Sequence, residues 1–193
     1  MGFCQSENKL GYKNSSKMTS AWSVGILFVL QFILGNAQAP PEDCSSLPLL
    51  QVSFEDTTLN GCGTEGQQPL YRSVKSVRYE NVEVGETYTL LMVDPDAPNH
   101  KAGEAWLHWI LSNVEASDLQ NGNIGNGNIV VEYKGPTPPR GSGTHRYFFY
   151  LYRESQKQLP GVSKRGKFVL QTYAEENGLL GPIAMNMFKT SFQ

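Results

Sequence analysis

Three stretches of the chain are apolar on both sides of a strand, and they constrain the fold more than anything else. They are "YTLLMV" at 88–93, "EAWLHWILSNV" at 104–114 and "HRYFFYLYRE" at 145–154. With side chains alternating at a period of two, Trp106, His108 and Ile110 are expected on one face, with Leu107, Trp109 and Leu111 on the other. In the third stretch His145, Tyr147, Phe149 and Leu151 oppose Arg146, Phe148, Tyr150 and Tyr152. Strands of this kind must lie inside a sheet covered on both faces. The pattern predicts a mainly β protein: a large antiparallel sheet with a few C-terminal helices on one side. Residues 40–70 read as loops with one edge strand near "LLQVSF", and "YRSVKSVRYENV" alternates before a turn at Gly85. The one convincing helical period runs from Arg165 to Asn177, with Gly178 as its stop. The Asn-Gly run at 121–129 satisfies several turn rules and predicts a surface loop.

The N-terminus carries an address. Residues 24–34, "VGILFVLQFIL", have the length of a secretory h-region and are short for a membrane span. Ala37-Gln38-Ala39 gives the small-x-small pattern of a cleavage site near 39/40, and Met18 is a plausible alternative start. Residues 1–39 are therefore read as a leader and 40–193 as a single domain, secreted and free to reach endosomal or lysosomal compartments. The sequon at Asn14 falls in the leader. Loss of Lys9, Lys13, Lys17 and Glu7 moves the net charge from −2 to −4. That balance excludes nucleic acid and a polybasic membrane surface, both of which need clustered Lys and Arg. Cys4 leaves with the leader. Cys44 and Cys62 then face an oxidising compartment, where they either close a loop worth about 3 kcal/mol or stay separate thiols.

Histidines inside doubly covered strands need a hydrogen-bond partner or a ligand. His108 has Trp106 two residues away, and His145 has Tyr147, so two strand faces can wall one pocket. The first strand ends in "DPDAP", whose Asp94 and Asp96 leave the strand toward the same end. The loop "GPTPPRGSG" before His145 is stiff and could turn backbone N–H groups toward an anion.

The stretches "YTLLMVDPDAP", "EAWLHWILSNV" and "GPTPPRGSGTHRYFFYLY", in that order, resemble the two signature regions of the phosphatidylethanolamine-binding protein family. The leader and "DLQNGNI" make the chain most similar to the secreted type 4 branch. The resemblance implies a large antiparallel sheet, a smaller sheet packed on it and peripheral helices. It also implies a small pocket for phosphate or a phosphoethanolamine head group, with Asp94, Pro98, Trp106 and His108 from the first motif. Gly135, Pro138, Pro139, His145 and Tyr147 follow from the second. It implies a cis Ala97–Pro98 bond. His108 and His145 are then expected to donate to phosphate oxygens, and Asp94 to accept from an ammonium group or orient a histidine. By parity Arg146 is structural, paired with Asp96. Thr137 stands where the family has glycine, and Phe188 takes the place of a pocket-covering tyrosine, so it is the candidate lid. With little terminal helix before Gln193, a more open pocket is expected.

The expectation is a monomeric binding module without cofactor, acting on an extracellular or lysosomal protein partner in signalling or proteolysis. Two other readings remain: a hydrolase using His108 or His145 with Asp94, and a metal site built from Asp94, His108 and His145. Against the hydrolase, Ser142 and Thr144 lie near His145 but not on a strand-turn-helix elbow.

Overall fold

A computed structural model describes residues 39–155 and 158–193. The h-region, the sequon and all of the leader before Ala39 lie outside the described residues. Among the described residues nine strands form two sheets. The small sheet has the order β2-β1-β4, from β1 (Gln51–Phe54), β2 (Thr58–Leu59) and β4 (Val74–Arg78). The large sheet has the order β3-β9-β8-β5-β6-β7. It comprises β3 (Thr64–Glu65), β5 (Thr87–Asp94), β6 (Trp106–Glu115), β7 (Asn128–Val131), β8 (Thr144–Glu154) and β9 (Leu179–Ser191). All its pairings are antiparallel except β3 with β9. The three doubly apolar stretches are β5, β6 and β8, side by side at the centre.

Each face of the large sheet has its own core. One is sealed by the small sheet: Tyr88, Leu90, Met92, Trp109, Phe149 and Phe188 pack against Leu50, Val52, Phe54 and Val77. The other holds Leu91, Val93, Ile110, Phe148 and Tyr150 under Leu159, Phe168, Leu170 and Tyr173. Burying such a side chain fully stabilises by about 1.5–3 kcal/mol. Cys44 and Cys62 are joined in a disulfide with Cα atoms 5.9 Å apart, and they pack at the edge of this second core.

Several expectations change. The strand at "LLQVSF" is the middle of the small sheet, not an edge. The predicted helix over 165–177 shrinks to Leu170–Glu176 (α2). Its first residues pair with the start of β6 and the residue before it instead: Phe168 and Ala105 exchange both backbone hydrogen bonds at 2.9 Å, and Leu107 N–H donates to Arg165 O at 2.8 Å. Lys167, at φ 58°, breaks the helical path there. Gly178, at φ 62°, does follow the helix. A helix missed by periodicity, Ala116–Asn121 (α1), closes on Gly122 at φ 75°. The Asn-Gly run is therefore loop only in its middle, since Asn128 and Ile129 already belong to β7.

Strand parity fails in β6. Met92 opposes Trp109 while Val93 opposes Leu107, so His108 is the extra residue of a bulge. Trp109 and Leu111 consequently lie in the core under the small sheet, with Leu107 and Ile110 in the other. The bulge explains how His108 and Trp109, adjacent in sequence, both address the same side.

Candidate functional site

The ends of β5, β6 and β8 meet at one edge of the sheet, around a cavity of about 280 Å³. Asp94, Pro98, Trp106, His108, Pro139 and His145 line it, joined by Ala97, His100, Lys134 and Thr137. Four predicted residues do not. Pro138 is buried within the loop, and Gly135 faces a neighbouring hollow with Arg72 and Phe192. Gly135 is needed for close approach, because a Cβ there would sit 3.2 Å from the Tyr71 carbonyl oxygen. Tyr147 lies beneath the cavity, its ring 5.2 Å from that of His108 and 6.4 Å from that of His145. Phe188 is fully buried, stacked at 5.0 Å on Tyr147 and 3.9 Å on Tyr71. It backs the site as part of the core and is no lid, because its position on β9 opposite Tyr147 points it beneath the sheet.

The Asp94–Pro98 segment is held by its own side chains. Asp94 Oδ1 accepts from Asp96 N–H at 2.8 Å, which turns the chain immediately after β5. The Ala97–Pro98 bond is trans, against expectation; the described cis bond is Gly181–Pro182. The reason lies in the turn, where Pro98 is followed by Asn99 at φ 64°, the arrangement of a type II turn with proline in its trans second position. His100 fastens this turn. Its Nε2 accepts from Lys167 N–H at 2.9 Å, so Nδ1 carries the proton and is shared by the Ala97 and Pro98 carbonyls at 2.8 and 2.9 Å.

Asp96 grips the start of β8. Its carboxylate accepts from Arg146 N–H and Nε at 2.8 Å and from the guanidinium again at 2.7 Å, while Glu42 takes the remaining guanidinium edge at 2.7 Å. Burial pushes Asp96 up, but the Arg146 hydrogen bonds outweigh it and hold the carboxyl below its ordinary range. One residue earlier, His145 Nδ1 lies 2.8 Å from Asp94 Oδ2 with both groups buried. Burial raises Asp94 above the usual carboxylate value, against the pull of His145 and the Asp96 amide. Each Asp94 oxygen thus holds one internal partner, the Asp96 amide on Oδ1 and the His145 ring on Oδ2.

His108 is held differently. Its Nδ1 donates to the Lys134 carbonyl at 2.6 Å, and Lys134 N–H returns a bond to the His108 carbonyl at 2.9 Å. Arg165 donates to the carbonyls of Leu107, His108 and Glu132, bracing the bulge from outside. Burial, aided by the charges of Arg165 and Lys134, pushes the ring down to about 4. At neutral pH the ring is uncharged with its proton on Nδ1, so Nε2 presents a lone pair to the cavity, an acceptor where a donor was expected. Positive charge at the mouth comes instead from Lys134, whose ammonium lies 5.7 Å over the Trp106 ring.

Tyr147 carries the one buried side-chain polar atom among the described residues that has no hydrogen-bond partner, its hydroxyl. Burial raises its pKa, and the nearby Asp94 carboxylate raises it further, so it stays a neutral potential donor. Among the described residues no group of three or more His, Cys, Asp or Glu could hold a metal ion, so the metal reading of Asp94, His108 and His145 finds no support.

Sequence reasoning missed Lys134, Ala97 and His100. Lys134 had a usable signal, as the last cation before the Pro/Gly loop; His100 had none, because its role depends on the distant loop at Lys167.

Two packed sheets with a polar-floored pocket at the end of the larger one define the class of protein. The sequence profile of the phosphatidylethanolamine-binding protein family matches residues 51–188, and the chain belongs to that family. It is 31% identical to a Drosophila melanogaster protein described as a candidate odorant-binding protein, A5; the match spans 57% of this chain and 55% of that relative. A phosphatidylethanolamine-binding protein from Plasmodium vivax superposes with TM-score 0.63 at 18% identity, over 88% of this chain and 97% of that one. A carboxypeptidase Y inhibitor in complex with its cognate proteinase gives TM-score 0.61 at 21% identity, over 75% and 83% of the two chains. At those identities the structural likenesses speak for the fold.

Proposed function

We propose that the protein is a secreted binding module of the type 4 kind whose pocket accepts a small anionic head group, phosphate or phosphoethanolamine, and which modulates a partner protein outside the cytosol. The observation that carries this reading is the convergence of His108, His145, Asp94, Trp106 and Lys134 on one small cavity at the strand ends. Lys134 supplies the charge for the anion. His108 Nε2 accepts from a protonated phosphate oxygen or from the ammonium of ethanolamine, and Trp106, Pro98 and Pro139 exclude water around them. The cavity has the size of a head group and not of acyl chains. The complex of a fold neighbour with a proteinase supports a protease as one class of partner. The disulfide fits an extracellular setting, and no described helix is long and apolar enough to cross a membrane.

Calorimetric titration of the full chain with inorganic phosphate and with phosphoethanolamine tests the reading, beside a His108→Ala, His145→Ala double variant and a Lys134→Ala variant. Saturable binding lost in the double variant and weakened in Lys134→Ala is expected. Absence of binding to folded wild-type protein overturns it.

A further inference from the structure

The loop that precedes β8 carries a second chemistry. Gly141 and Gly143 take φ 80° and 86°, values that glycine adopts without strain, and Ser142 sits between them at the exposed tip of the turn. Because Ser142 precedes the strand, strand alternation does not govern its direction, and its hydroxyl comes back to 2.8 Å from His145 Nε2. On the far side of the ring, Nδ1 lies 2.8 Å from Asp94 Oδ2. A solvent-accessible serine, a histidine 1% exposed and a carboxylate 3% exposed therefore form one continuous hydrogen-bonded line.

The geometry points to Ser142 as a nucleophile for small carboxylic esters, with His145 as its general base and Asp94 holding the imidazole. The three roles are those that a hydroxyl needs to attack a carbonyl at neutral pH. This activity does not rest on head-group binding, although it shares His145 with that pocket.

The proton positions define when the serine is competent. The Ser142 hydroxyl has two acceptors in reach, His145 Nε2 and the Pro139 carbonyl at 2.7 Å. With two protons on the ring, His145 donates to Asp94 and to Ser142 Oγ, and the hydroxyl proton goes to Pro139. With one proton, the Asp94 carboxylate keeps it on Nδ1, Nε2 is free, and Ser142 donates to it. Attack then forms the Oγ–C bond as the Ser142 proton passes to Nε2. The tetrahedral intermediate collapses, the ester C–O bond breaks, and His145 returns the proton to the leaving alkoxide. Water, deprotonated by the same nitrogen, attacks the acyl-serine; the acid departs and the proton returns to Ser142. His145 lines the cavity walled by Trp106, Pro98 and Pro139, with Lys134 also on its lining, so an apolar wall and a cation stand beside the base.

The test is reaction of the full chain with a fluorophosphonate probe, with sites and rates read by peptide mass spectrometry, and turnover of 4-nitrophenyl acetate beside it. Phosphonylation of Ser142 at least about 100-fold faster than of any other serine in the chain is expected. Ser142→Ala, on an exposed turn, should lose both the label and the ester turnover, and folded His145→Gln should slow labelling by a similar factor. Ser142 reacting no faster than the other serines overturns the assignment, as does unchanged turnover in Ser142→Ala. The comparison among serines needs no histidine variant, so failure of His145→Gln to fold leaves it decisive. Phosphate titration reads Lys134 and His108 as well, so a failure here is distinguishable from a failure of the binding reading.

Discussion

The two walls of the pocket use the same residue in opposite ways. On β8 the strand is regular at His145, and the ring meets a buried carboxylate, Asp94, at 2.8 Å. On β6 the strand bulges at His108, and the ring meets a neutral carbonyl at 2.6 Å with Arg165 and Lys134 as its charged neighbours. The second environment keeps the His108 imidazole neutral, whereas the first fixes the orientation of the His145 ring through a carboxylate. Two histidines read as equivalent in sequence are thus a proton acceptor toward the cavity on one side and a carboxylate-oriented base or donor on the other.

The largest test of this asymmetry removes its source on β8. Asp94→Ala leaves His145 buried without its partner and frees the Asp96 amide, and a loss of about 3–5 kcal/mol in denaturant unfolding is expected. A loss below about 1 kcal/mol would mean that His145 does not depend on the carboxylate, and the contrast between the walls would fall. Next comes the pH dependence from β6. His108 has a folded value of about 4 against an ordinary 6.5, so between these the unfolded chain binds the proton and the folded chain does not. Stability attributable to His108 is therefore intact above pH 6.5 and falls as pH drops toward 4, by about 3 kcal/mol in all. His108→Gln should flatten the stability profile in that window. An unchanged profile would place the titration elsewhere.

The sequence made the centre of the sheet legible because a strand covered on both sides leaves a continuous apolar run, which β5, β6 and β8 share. The site was legible through the ordered motifs around Asp94, His108 and His145. What escaped depends on contacts between distant segments. The bulge at His108 is invisible in "WLHWIL", since a bulge changes register without changing composition. Arg165 and Phe168 look helical by period, but backbone partners on β6 capture them. Position in the sequence suggests a lid at Phe188, whereas the long β9 places it in the core. Ser142 lacks an elbow in the sequence, and its return onto His145 depends on the left-handed turn at Gly141 and Gly143.

Arg165 gives a smaller and sharper probe of the β6 wall. Arg165→Met keeps the aliphatic stem but removes three bonds to backbone carbonyls, and a loss of about 2 kcal/mol is expected. Removing its charge also relieves His108, so the imidazole pKa should move up in a histidine NMR titration. A stability loss without that upward movement would make Arg165 a brace for the bulge alone.

The smallest effect falls between the two walls, on Tyr147. Its ring supports both histidines, while its buried hydroxyl finds no partner among the described residues. Tyr147→Phe keeps the ring and deletes only the unpaired donor, so stability should change by less than about 1 kcal/mol, or even rise. In a structural role that would be the whole effect. If the hydroxyl is kept for a ligand oxygen, phosphate affinity should drop severalfold while the melting temperature holds, separating binding from folding at a single atom. A destabilisation well above 1 kcal/mol would show instead that the hydroxyl is paired in solution, and the two walls would then be joined by a hydrogen bond rather than by ring packing alone.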